Sequence, residues 1–445
     1  MKANYLIIIF IYLLVNSSIF AQPYSYEPAP ESRNPYKWPF SQTSIWNTPI
    51  GSDAVYVHAH LEPALEWAMT VDEDYIIMMP DEPLMDIYRH NAGWNVNRSR
   101  CDRVVPEQKM FSAPIPQSWV INPSGTPNAG LAVLMPDKRT IKQTQPFAHC
   151  EEGGDGTSQY SFPDQDLYGD GIRGAHGGSG LSAVGGAIRV NELTPTSGPI
   201  RHALKVNLYS NKNIYYNTET KGYRWPAVAA DSGAERFYYT ERTNPVVPDC
   251  RMGALLALPP FIDIEDLELE TEPAKILAQA FQDYGAYVVD DTAWDVNAIV
   301  VEWSPEGRFE SIFRMNWGFN FTSKPNARFG SDMAKIFSNL HVVANNSAAS
   351  IGGGGNRRAP LAPPFETTSN IEHAVLGNEI QIFPTQVDDV LNTHGIEGEI
   401  FIIDISGKII LKQKCTEGQS IDLKRLNSGV YFIKTKKGSL SFIKL

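Results

Sequence analysis

The chain has 445 residues, 42% of them hydrophobic, which is enough for a sizeable core and too long for one compact domain of usual size. A formal charge of -12 argues against nucleic acid as a partner, because phosphate binding needs a basic surface. Aromatic residues make up 11% of the chain, which suits a β-rich core and equally a surface on which sugar rings stack.

The first residues read as a signal peptide. Lys2 supplies the positive start, residues 5–15 (YLIIIFIYLLV) form the apolar run, and Ala21 precedes a cut before Gln22. The run is too short for a comfortable membrane span, so no transmembrane segment is expected in the mature chain. Four cysteines fit an oxidising destination. None has CxxC spacing, so a zinc or redox motif is not supported. One disulfide is expected among Cys101, Cys150 and Cys250, with Cys101–Cys150 the first choice and the third left as a buried thiol.

Residues 22–350 read as the main domain. Residues 62–69 suggest a short helix, and residues 75–79 (YIIMM) and 130–135 (GLAVLM) suggest buried strands. Asp53, His58 and His60 invite a metal reading, because alternating histidines on a strand share one face; the plainer reading is an exposed polar face.

Residues 164–186 (DQDLYGDGIRGAHGGSGLSAVGG) have neither helical nor strand period and are crowded with glycine, which a folded chain keeps for close approach or positive φ. This loop is the expected seat of chemistry. Within it, residues 169–174 match GxGxxG, but no apolar strand precedes them and no helix follows, so the dinucleotide reading fails. Residues 164–175 resemble a calcium loop in which Tyr168 and Ala175 replace needed oxygen donors; a looser calcium site on Asp164, Asp166 and Asp170 remains open beside the reading that these aspartates cap turns.

Further on, residues 202–209, 222–229 and 253–258 read as strands. Residues 273–284 form the clearest helix, with Pro273 in its first turn and apolar residues at three- and four-residue spacing. Residues 298–303 and 310–315 suggest a hairpin around Pro305-Glu306-Gly307. The candidates for catalysis are Asp155, Asp170, His176, His202 and Asp231, with Asp166 a further acid and Arg173, Arg201, Tyr223 and Trp225 for substrate binding. As a hydrolase the chain needs two flanking carboxyl groups; as a lyase it needs a base such as His176 or His202, with Arg173, Arg201 or calcium to neutralise a uronate.

The motifs WNTPI, HGGSGLSAVGG, GPIRHALKV, YRWPA, MGALLAL and AQAFQDYGAYVVDD make the body similar to a group of secreted bacterial proteins without a settled activity, hypothetical or polysaccharide-related. That resemblance covers most of residues 38–343 and assigns no catalytic residue. Its relatives often carry an alanine-threonine-alanine-serine run where this chain has His176-Gly177-Gly178-Ser179.

Residues 351–378, rich in glycine and proline, read as a linker. Beyond it, residues 379–445 turn to short alternating strands. The strand ending Asp404-Ile405-Ser406-Gly407-Lys408, the turn and strand Leu426-Asn427-Ser428-Gly429-Val430-Tyr431 and the lysine-bearing end resemble the C-terminal sorting domain of the type IX secretion system of Bacteroidetes. The resemblance implies passage through that machinery to the outer cell surface.

The expected architecture is mainly β: a two-layer main domain with few helices, then a small β-sandwich. The expected function is a carbohydrate-active enzyme, hydrolase or lyase, acting on polysaccharide. A non-enzymatic glycan-binding or adhesive surface protein is the alternative.

Overall fold

The computed structural model describes residues 29–366, except 124 and 126, and residues 381–444, except 384, 385, 388, 395, 405–407, 417 and 437–438. The signal peptide lies outside the described residues. Among those described, no helix is long and apolar enough to cross a membrane. The chain divides into a unit ending at Pro364 and a second from Phe365 to Leu445.

The body is mainly β and is built on one large mixed sheet. At its centre lie Ala286–Asp291, Leu204–Leu208, Val296–Ser304, Trp67–Ile77 and Leu131–Leu134, in that order across the sheet. Leu204–Leu208 runs parallel to Ala286–Asp291 and antiparallel to Val296–Ser304, which in turn runs parallel to Trp67–Ile77. Central strands of this kind are buried on both faces. One face packs against the helices Glu272–Asp283, Phe309–Trp317 and Arg328–Ser338, through Leu277, Phe281, Phe313, Met333 and Ile336. The other face is covered by irregular segments that bring in Phe40, Trp46, Leu181 and Val184.

A second layer of four strands, including Leu84–Arg89 and Lys109–Pro114, packs Met85, Ile87 and Ala113 against Tyr75, Ile77, Leu131 and Val133 of the main sheet. The expected two-layer, helix-poor body is what the structure has. The disulfide joins Cys101 to Cys150, while Cys250 is free and buried, with burial pushing its thiol up to about 12.

Three local readings change. The segment read as a helix over 62–69 instead leads into the strand Trp67–Ile77, which pairs on both sides; tertiary pairing overrides local propensity there. The second arm of the expected hairpin is the helix Phe309–Trp317, because Phe309, Phe313 and Trp317 recur every four residues and the two phenylalanines are buried. The glycine run of the expected linker packs on the body: Gly51 N–H donates to Gly352 O (2.9 Å), Asn345 Nδ2 to Gly353 O (3.0 Å) and Arg33 N–H to Pro364 O (3.0 Å).

The tail holds a three-stranded sheet and a five-stranded sheet around Leu391, Ile400, Ile402, Ile421, Ile433 and Phe442. Buried Ile400 and Ile402 alternate with Glu399 and Phe401 along Gly398–Asp404, and buried Tyr431 and Ile433 alternate with exposed Phe432 and Lys434 along Gly429–Lys434, which gives each strand one inward face.

Candidate active site

The body has a cleft of about 920 Å³ on the loop-covered side of the main sheet, and acidic residues converge at its floor. Asp72 comes from the middle of Trp67–Ile77, two residues before Asp74, so strand alternation places both on the same face. Asn207 and Lys205 likewise share a face of Leu204–Leu208. Asn207 Nδ2 donates to Asp72 Oδ2 (2.8 Å), and Lys205 Nζ to Asp74 Oδ2 (2.7 Å) and to the carbonyls of Ser182 and Ala183 (2.8 and 2.9 Å). Lys205 thereby has all three donors used while being fully buried.

Asp290 reaches the same floor through a bulge. Val206 pairs with Val288, but Asn207 pairs with Asp290, so one residue of the strand is skipped. A bulge reverses which side chains face a given side, and here it aligns Asp290 with Asn207. Asn128 Nδ2 then donates to both Asp72 Oδ2 (3.1 Å) and Asp290 Oδ2 (2.8 Å).

Asp231 completes the group from a loop. It is hydrogen-bonded to Asp290, and Tyr238 Oη donates to its Oδ2 at 2.6 Å. Gly178 is what lets the two carboxyls meet: a Cβ there would lie 2.9 Å from both oxygens of Asp231 and from Asp290 Oδ1. Burial first, then the charges of Asp231 and Asp72, holds Asp290 well above the ordinary carboxylate range. Burial also raises Asp231, partly offset by Tyr238. Two carboxyls in such contact cannot both ionise, so they share a proton. Asp291, beside them, is pushed up by burial to about 6.

His176, at the end of the strand Arg173–His176, is buried behind these acids. Its Nε2 lies 3.6 Å from Asp72 Oδ2 and 3.8 Å from Asp74 Oδ2, and its Nδ1 lies 3.4 Å from Asp290 Oδ2, yet neither nitrogen has a hydrogen bond. Burial holds the imidazole below its ordinary range in spite of these carboxylates. The rim of the cleft carries the exposed aromatics Trp94, Tyr160 and Trp294, the first two stacked with ring centroids 6.1 Å apart. Among the described residues the one arginine lining it, Arg308, is held by Glu73 in a two-pronged pair (2.6 and 2.9 Å).

Of the residues singled out in the sequence, Asp231 lines this cleft and His176 lies buried behind its acids. Tyr223 lines a shallow recess beside Asp231, and Trp225 packs against the core on the loop-covered face. His202 and Arg201 line a separate cleft of about 600 Å³. There His202 Nε2 is 3.0 Å from Glu192; burial works against its charge, but Glu192 outweighs this and raises the imidazole. Asp155 pairs at the surface with Arg103 (2.7 Å), and Arg173 is exposed. Asp164 pairs with Lys142 (2.9 Å), Asp166 with Arg139 (2.7 Å), and Asp170 accepts from the N–H of Ile172 (3.0 Å). Among the described residues no group of three His, Cys, Asp or Glu is placed to hold a metal ion.

Asp72, Asp290, Asn128 and Asn207 were not singled out. A usable signal existed for two of them: VDEDYII sets three acids inside an otherwise apolar strand, and AYVVDD ends a buried strand on a pair of acids.

These features define a β-rich body with an acidic, aromatic-rimmed cleft, joined to a small all-β tail. Residues 381–444 match the secretion system C-terminal sorting domain. The tail is therefore a type IX sorting domain, which directs the chain through that machinery to be attached to or released at the outer cell surface. No curated protein and no solved structure matches the chain.

Proposed function

We propose that the body is a glycan-cleaving hydrolase acting outside the cell. The observation that carries this reading is the arrangement of its carboxyls: Asp231 and Asp290 meet over Gly178, both raised by burial, while Asp72 beside them accepts from two amides. Glycoside hydrolysis needs one carboxyl that carries a proton and a second that acts without one. The exposed Trp94, Tyr160 and Trp294 supply apolar faces for sugar rings at the rim. Export to the cell surface places such an enzyme where polysaccharide is found.

A lyase on uronates fits the cleft less well. It needs a cation against the sugar carboxylate, and Arg308, which lines the cleft, is already paired with Glu73 among four further acids. Neutral glycans suit these surroundings. The aromatic rim alone would also serve a glycan-binding or adhesive protein, which has no use for a proton-sharing pair.

The test is the full mature chain against a panel of plant, algal and microbial polysaccharides. New reducing ends without a new ultraviolet-absorbing double bond support the hydrolase. Both signals together would mean a lyase, and binding with neither would mean an adhesin.

A further inference from the structure

We infer that cleavage proceeds with retention of anomeric configuration, through a covalent glycosyl ester on Asp72. This rests on the hydrolase reading above. Its ground is the spacing of the two carboxyls. Asn128 Nδ2 donates to Asp72 Oδ2 at 3.1 Å and to Asp290 Oδ2 at 2.8 Å, so these oxygens can be no further apart than the two bonds laid end to end. Inverting enzymes hold their carboxyls roughly 6.5–9.5 Å apart to admit a water between base and sugar, whereas retaining enzymes hold them about 5–5.5 Å apart. These two oxygens lie closer together than the inverting range, which favours the retaining arrangement.

The neighbours assign the roles. Asp290 shares its proton with Asp231, which Tyr238 anchors, so this pair is the acid. Among the described residues Asp72 has no lysine or arginine within salt-bridge distance, and two amides orient it for attack. In the first step an Asp72 oxygen bonds to the anomeric carbon as the glycosidic C–O bond breaks, and the leaving oxygen takes the proton from Asp290. In the second step the ester C–O bond to Asp72 breaks as a water oxygen bonds to the anomeric carbon, and that water gives a proton back to the Asp290 carboxylate. The sum is water added across one glycosidic bond.

The experiment follows product configuration by proton NMR in the first turnovers of the full chain. The substrates are whichever polysaccharide the panel shows to be cleaved, and aryl α- and β-glycosides of glucose, mannose, galactose, xylose and arabinose. The expected first product has the configuration of the substrate, and added methanol diverts part of it to the methyl glycoside of that same configuration. A second measurement uses Asp72→Gly with azide, expected to restore turnover and yield a glycosyl azide of opposite configuration. Should that variant not fold, the wild-type NMR result still decides. Hydrolysis with inversion would overturn this inference and leave the hydrolase standing, whereas no cleavage of any substrate would overturn both.

Discussion

Lys205 and Asp74 form a fully buried pair, 2.7 Å apart, directly beneath the acids of the cleft. Burial pushes the lysine down and the aspartate up, and Lys205 is the side chain that donates to buried Asp74. Removing one partner of such a pair typically costs about 3–5 kcal/mol, because the survivor is left buried and unsatisfied. Lys205→Met should therefore lower the unfolding midpoint of the body sharply. The double variant Lys205→Met with Asp74→Leu should recover much of the loss. Equal losses in single and double variants, read by urea unfolding, would remove the coupling claimed here.

On the proposed hydrolase reading, a proton shared by Asp231 and Asp290 predicts a separation of turnover from binding. Asp290→Asn and Asp231→Asn should each lower turnover about 10²–10⁴-fold, the usual weight of a general acid, with affinity for the glycan kept. Gly178→Ala should act in the same direction, since its Cβ would sit 2.9 Å from both carboxyls. Paired rate and binding measurements check this. Turnover unchanged in all three would take the pair out of the chemistry.

The legible parts of this molecule were those that local pattern encodes. The helix Glu272–Asp283 carries its own apolar stripe and a proline in its first turn, and the tail strands alternate cleanly. His176 and Asp231 stood out as polar groups next to glycine or at the end of an apolar run. Asp72 did not, because three acids in a row look like a solvated turn until the partners Leu131–Leu134 and Val296–Ser304 are known. Asp290 depends on a bulge, Asn128 on a loop, and Asn207 on a register, all set by residues far away in sequence. The aspartates of the 164–186 loop pair at the surface or hold a turn, and what the loop brings to the cleft is Gly177 and Gly178, with His176 buried behind the acids.

Asp291 predicts a stability that falls as pH rises. Burial lifts its folded value to about 6, above the ordinary carboxylate near 4, so the folded state holds the extra proton between them. That contribution is full below about pH 4 and is lost as pH passes 6. Asp291→Asn keeps an oxygen to accept from the N–H of Ser210, now at 2.8 Å, while removing the titration. The variant should gain stability relative to wild type as pH rises from about 4 to 7. A constant difference across that range in thermal scans would contradict the assignment.

The opposite slope is expected where the edge strand Tyr56–His58 pairs with His341–Val343. The ring of His58 lies 4.2 Å from that of His60 and 4.6 Å from that of His341. Burial, then the neighbouring imidazoles, pulls His58 down, and burial does the same to His341. The unfolded chain therefore binds more protons below about pH 6.5, and the stability present above that value is lost on acidification. His58→Gln and His341→Gln should each flatten this loss between about pH 7 and 5 in chemical unfolding. Unchanged slopes would mean that these rings do not couple to folding.

Cys101 and Cys150 close a loop spanning 49 residues, and that loop carries Asn128. Chain entropy assigns a closure of this length about 4 kcal/mol, by constraining the unfolded state. Because Asn128 is tied within it, loosening the loop should also relax the amide that bridges Asp72 and Asp290. Serine at both cysteines should thus lower the unfolding midpoint, and should lower turnover more than it weakens glycan binding at temperatures where the variant stays folded. Reduced stability with turnover and binding both intact would confine the disulfide to stabilising the body and separate it from the geometry of the site.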